Sequence, residues 1–183
     1  TQSSVLFTRP MRLTNRMGTS FELEVKRTVR VLTRQELLSR LHGVPTLGSI
    51  RWVGFETINQ ITNKGAKAWT KKDGLLSVWI LSMFNPAPDM TVVIPFDTAV
   101  PGELVNDRYF GAVPGDRLHV FAERGFLTFK CDAQSRGKIG ISPRRAKAWL
   151  GSYSETGSLL TLVNFDKVEG AQNYVNNLWE QQK

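Results

Sequence analysis

An all-β protein, mainly an antiparallel β-sandwich with two short helices, is the fold class that three observations predict. From Phe21 to Val31 the odd positions read Phe, Leu, Val, Arg, Val, Val and the even ones Glu, Glu, Lys, Thr, Arg. Apart from Arg27 this is period-two alternation, the mark of a strand with one wet face. Turn residues recur between strand-like runs at intervals of roughly ten residues, the spacing of a sandwich. Helical signals are confined to two short, capped segments.

In chain order, the Phe21–Val31 strand is followed by Thr33-Arg34-Gln35-Glu36, the spacing of a capping box, with Leu37, Leu38 and Leu41 behind it and Gly43 placed to end the helix. The stretch Gly54-Phe55-Glu56-Thr57-Ile58-Asn59-Gln60-Ile61-Thr62-Asn63-Lys64-Gly65 reads as a strand entering a turn, and Lys71-Lys72-Asp73-Gly74 as a second turn. Leu75 to Phe84 is apolar on both faces and predicts a central strand covered on both sides. Asn85-Pro86-Ala87-Pro88-Asp89 interrupts the sheet. Strands are expected over Thr91 to Phe96, Leu118 to Phe121, Phe126 to Cys131 and Ser158 to Phe165. Ser142-Pro143 opens the second helix, which Gly151 would close. No Pro/Gly/Ser-rich linker divides the chain, so one domain over 1–183 is expected.

The 183 residues suffice for a sizeable core. No apolar run reaches the length of a membrane helix, and the opening TQSSVLFTRP is neither a signal peptide nor an initiator-methionine start. A soluble chain without membrane association, processed or cut from a longer one, is therefore expected. Cys131, His42 and His119 are too few for a zinc site of the usual Cys/His kind, and neither metal nor cofactor is expected. The net charge of +8 favours an anionic partner.

Glu56 is the candidate catalytic residue, placed by alternation on one face with Trp52, Gly54, Ile58 and Gln60, where the glycine would let a ligand approach. The same carboxylate also suits a structural ion pair with an arginine, and the sequence leaves both readings open. Asn106, Asp107 and Tyr109 lie in a segment with loop punctuation, where binding groups concentrate. Lys138 and Arg144 belong to the densest basic stretch, and Arg144 suits bidentate pairing with an anion. Trp52, Trp69 and Trp149 are candidate stacking platforms, while Trp79 reads as core. No phosphate loop, nucleophile elbow, metal-binding helix or nucleic-acid module is present, and a His119–Asp116 pair is discounted because three residues apart in a strand they face opposite sides.

The runs GFETINQITNKGAKAWTKKDGLLSVWILSMFNP, TVVIPF, VNDRYFGAVPGDRL, SRGKIGISPRRAKAWLGSY, LLTLVNF and YVNNLWEQ resemble, in that order, a family of uncharacterised bacterial proteins. The resemblance implies a galactose-mutarotase-like fold, a large antiparallel β-supersandwich associated with sugar chemistry. It also implies a piece or shortened form of a longer domain. In aldose epimerases of that fold a histidine and a carboxylate share the acid–base work. Asn59 to Gly65 resembles their strand pattern, but no histidine follows it, and the family supplies no catalytic residues to carry over.

The leading expectation is an extracytoplasmic carbohydrate-binding or carbohydrate-processing protein. Trp52, Asn106, Asp107, Tyr109, Lys138 and Arg144 would form its site, with an acidic sugar favoured by the cations. The enzymatic version is an epimerase or lyase with Glu56 as base and Lys138 or Tyr109 as acid. Its rival is a structural module that assembles with the remainder of a longer chain or with itself. Nucleic acid ranks last.

Overall fold

The computed structural model describes residues 3–41, 46–107 and 109–167. His42, Gly43 and the run YVNNLWEQ lie outside them. The chain forms two compact units, Thr1–Leu81 and Ser82–Lys183, and it is mostly β with antiparallel sheets.

The first unit is a three-stranded sheet in the order β1 (Ser4–Thr14), β2 (Ser20–Val31), β3 (Phe55–Asn63). The alternation of β2 has the expected effect: Phe21 and Leu23 are buried on its odd face, while Glu22, Lys26 and Arg30 lie on the other. Val31 donates its N–H to Ser3, whereas Leu32 donates to Gly54. Odd residues of β2 therefore bond toward β1 and even ones toward β3, and the even residues of β1, Pro10 among them, turn their backbone to the free edge. The β1–β2 hairpin closes with Gly18 at φ 84° and the Asn15 side-chain oxygen accepting from the Thr19 N–H at 2.9 Å.

Helix α1 (Arg34–Arg40) starts with the full capping box: Thr33 Oγ1 accepts from the Glu36 N–H at 3.3 Å, and Glu36 accepts from the Thr33 N–H at 2.8 Å. Donation by the Thr33 N–H, joined by Arg30, holds the Glu36 carboxyl down at about 2. Leu37 packs over Gly54, where an added Cβ would meet it at 3.1 Å.

The second unit holds a five-stranded sheet in the order β10 (Leu159–Asn164), β9 (Trp149–Ser154), β4 (Thr91–Pro95), β7 (Phe126–Lys130), β6 (Leu118–Phe121), and a short ribbon of β5 (Val105–Asn106) with β8 (Gly140–Ile141). One face carries the core, with Leu127 fully buried and Phe96 and Met90 nearly so. Asp89, just before β4, accepts from Ser154 Oγ at 2.8 Å and from the N–H and Oγ1 of Thr156 at 2.9 and 2.7 Å. These donors hold its carboxyl below the ordinary range, Thr156 contributing most, and they tie the start of β4 to the β9–β10 turn.

The sequence reading departs from the structure in several places, the unanticipated strand β1 among them. Only one α-helix exists among the described residues, so the second expected helix, over Arg144 to Trp149, is a correction. Ser142 accepts from the N–H groups of both Arg145 and Ala146, closing a single turn, after which Ala146 bridges to Phe96 and Trp149 enters β9. Pairing with neighbouring backbone has overridden the local helix signal. The run Leu75 to Phe84 is not a strand: it joins no sheet among the described residues, and Trp79, Leu81 and Met83 are largely exposed. An uninterrupted apolar run calls for two covering layers, but it does not supply the hydrogen-bonding neighbours that make a strand. Finally, β3 begins at Phe55, so Trp52 and Gly54 precede the strand, and Leu37 and Leu32 fill the space expected to admit a ligand at Gly54.

Candidate functional site

Glu56 stands opposite Arg30 across the β2–β3 pair. Its Oε1 accepts from Arg30 Nε at 2.7 Å, and its Oε2 accepts from Arg40 at 2.6 Å. Arg30 also reaches Glu36, so two arginines and two glutamates form one alternating ionic cluster that fastens α1 to the sheet. Both oxygens of Glu56 are engaged, and a general base needs a lone pair aimed at a substrate proton. Trp52 is half-buried, three residues before the strand.

The remaining candidates lie in the second unit. Asn106 pairs with Gly140 in the β5–β8 ribbon, and Lys138 Nζ lies 4.3 Å from the ring centroid of Tyr109, a cation–π contact. A Cβ at Gly140 would lie 2.5 Å from Tyr109 Oη, so the glycine leaves room for the Tyr109 ring where it stands. Asn106, Tyr109 and Lys138 thus gather around one ribbon, with Asp107 half-buried beside them in sequence. Arg144 is exposed in the turn after Ser142, and its neighbour Arg145 has the anchoring role, donating to the carbonyls of Asp97 and Gly102 and lying over Phe96.

A different surface offers more to a ligand. Trp149, Gly151 and Tyr153 alternate onto the face of the five-stranded sheet opposite Leu127. Trp149 is 49% exposed and Tyr153 51%, and Leu160 and Leu162, on the same face of β10, are exposed as well. Leu162 packs over Gly151, where a Cβ would meet its methyl at 3.0 Å. The register carries this face across the sheet: Tyr153 neighbours Thr91, Thr91 neighbours Lys130, and Thr128 neighbours His119.

There the surface dips into an open depression of about 170 Å³ lined by Asp89, Thr91, Asp116, Arg117, His119, Thr128 and Lys130. Its floor is rigid. Arg117, buried, grips Asp132 at 2.5 and 3.2 Å, and Asp132 also accepts from Lys130 Nζ at 3.2 Å. The Asp132 carboxyl is held far below its usual range, chiefly by the Arg117 hydrogen bond and next by the Gln134 N–H. Burial raises the neighbouring Cys131 thiol above its ordinary value.

Sequence reasoning missed this surface in part. Trp149 was a stacking candidate, but Tyr153 was not, because its face emerges only once β9 is known to be an inner strand. Asp116 and His119 line one depression because Asp116 sits in the turn before β6, and the strand geometry used to separate them does not apply. Among the described residues no three His, Cys, Asp or Glu side chains gather to hold a metal, and no helix is long and apolar enough to cross a membrane.

Searches of curated proteins and of solved structures return no match. One family model does match, over residues 1–183: the chain belongs to the family of unknown function DUF6786.

Proposed function

We propose that this protein binds carbohydrate on the outward face of its five-stranded sheet. The observation that carries the proposal is the pair of half-exposed aromatic side chains, Trp149 and Tyr153, on one face of a rigid strand. Their flat apolar surfaces suit the apolar face of a sugar ring, and ordering them costs little because each has only two side-chain torsions. The depression beside them supplies what stacking lacks, namely hydroxyl-binding groups: the imidazole of His119 and the Asp116 carboxylate.

The reading is one of binding. Glu56, the candidate base, has both oxygens taken by arginines. A galactose-mutarotase-like supersandwich is the finer fold reading that accompanies this proposal, supported by the antiparallel sheets and the ordered series of motifs.

A glycan array probed with the full chain tests it. Hits are expected that weaken by roughly tenfold or more on Trp149→Ala, in line with the loss of an anchoring aromatic, and that survive Glu56→Gln in folded protein. An array without hits, or hits indifferent to Trp149→Ala and Tyr153→Ala together, overturns the proposal.

A further inference from the structure

The net charge of +8 is confined to one part of the chain. Residues 1–81 hold 13 of the 24 Lys and Arg but only 5 of the 16 Asp and Glu, whereas residues 82–183 hold 11 of each, so the whole excess belongs to the first compact unit.

Within that unit the fold concentrates cations at one end of the sheet. The β1–β2 hairpin carries Arg12 and Arg16, and the segment after β3 carries Lys64, Lys67, Lys71 and Lys72. The two segments are joined: Asn15 Nδ2 donates to the Asp73 carbonyl at 2.9 Å, the Lys64 and Gly65 N–H groups both donate to Glu22, and Trp69 meets Phe21 edge-on at 6.2 Å. Gly74, at φ 118°, allows the close approach, since a Cβ there would lie 2.7 Å from Asn15 Nδ2.

The acids at this end are engaged close by. Asp73 accepts from Thr70 Oγ1 at 2.8 Å in its own turn, Glu24 is shared by Lys26 and Lys64, and Glu22 is paired in register with Arg12. Lys67, Lys71 and Lys72 are exposed and make no ion pair among the described residues.

We infer that this hairpin-and-loop end is a binding site for an acidic polysaccharide, one bearing a carboxylate or sulfate on successive sugars. The inference names the substrate class for the glycan-binding proposal and rests on that reading, but it uses different residues. Fixed loops presenting several unpaired lysines attract a polyanion by releasing its counterions. Single-stranded nucleic acid fits less well because its bases need free aromatic faces. Here Trp69 is half-buried against Phe21, while the exposed Phe7 and Phe55 lie toward the other end of the sheet. Lysine, a point charge without a planar fork, suits groups spaced along a flexible chain.

The test measures affinity of the full chain for alginate, neutral dextran and oligothymidine of matched length, at low and high salt. Two variants of equal charge are compared: Lys67→Gln/Lys71→Gln/Lys72→Gln, and Arg34→Gln/Arg51→Gln/Arg124→Gln, whose side chains are exposed. Alginate binding is expected to fall with salt, to drop on the order of tenfold in the lysine triple, and to change little in the other. Equal losses in both triples would mean a net-charge effect and overturn the site, as would tighter binding of oligothymidine than of alginate. Trp149→Ala separates the two proposals. If it abolishes alginate binding while the lysine triple retains it, the sheet face stands and this site falls; if it removes only neutral-glycan hits, the lysine site stands.

Discussion

At the scale of single residues, several carboxylates of this protein are structural, and Asp89 shows what they contribute. Three donors from Ser154 and Thr156 favour its ionised form, so its folded-state pKa lies below that of the unfolded chain. A depressed carboxylate contributes stability that is present above its unfolded pKa, about 3.9, and is lost as pH falls through the folded value. Asp89→Asn is therefore expected to be less stable than wild type near neutrality, with the gap narrowing below about pH 4. Thermal unfolding followed across pH checks this, and a gap that stays constant into acid would refute it. Glu56 illustrates how far such roles can be read in advance. Its position on β3 fixes which face it occupies, and β2 has an arginine to offer, but nothing local states that Arg40 on α1 will take its second oxygen.

The elements divide by whether their signals are local. Helix α1 is specified by four consecutive residues, and its capping box forms as read. Thr33→Ala is expected to cost about 0.5–2 kcal/mol, with Thr33→Ser close to wild type. Urea unfolding midpoints of the two variants measure it. Strand β2 was legible for the same reason: alternation is written in one segment, and a sheet needs only to bury the side it marks. The strands β4, β6, β7 and β10 were also found close to their observed limits, each a short apolar run between turn residues. What was not legible depended on partners elsewhere in the chain. Ser142-Pro143 begins a helix in isolation, yet Asp97 accepts the competing role by donating its N–H to Arg145, and Phe96 bridges to Ala146. The run Leu75 to Phe84 announces burial without naming what would bury it, and pairing cannot be read from composition.

At the scale of the whole chain, the distinction between a basic unit and a neutral one was hidden by the summed charge. The sequence reading took the stretch from Lys130 to Lys147 as the basic region, but its cations are largely committed: Lys130 to Asp132, Lys138 to Tyr109, Arg145 to two carbonyls, Lys147 to Asp97. The candidate binding face was legible only through Trp149, because a face is a property of register among strands distant in sequence.

The edge of the first sheet bears on how copies of this protein meet one another. A strand as long as β1, with Val5, Leu6 and Phe7 exposed, would ordinarily be a template on which identical molecules add strand by strand. Pro10 turns its nitrogen outward from the middle of that strand and has no hydrogen to donate, so an incoming strand meets a gap in the ladder. Restoring the donor with Pro10→Thr is expected to shorten the lag before fibrils form, measured by dye-binding fluorescence at fixed concentration. A lag unchanged by the substitution would show that the edge is guarded by something else. A shortened lag would make one imino acid the brake on fibril growth, the residue that lets an apolar edge strand persist without seeding its own polymer.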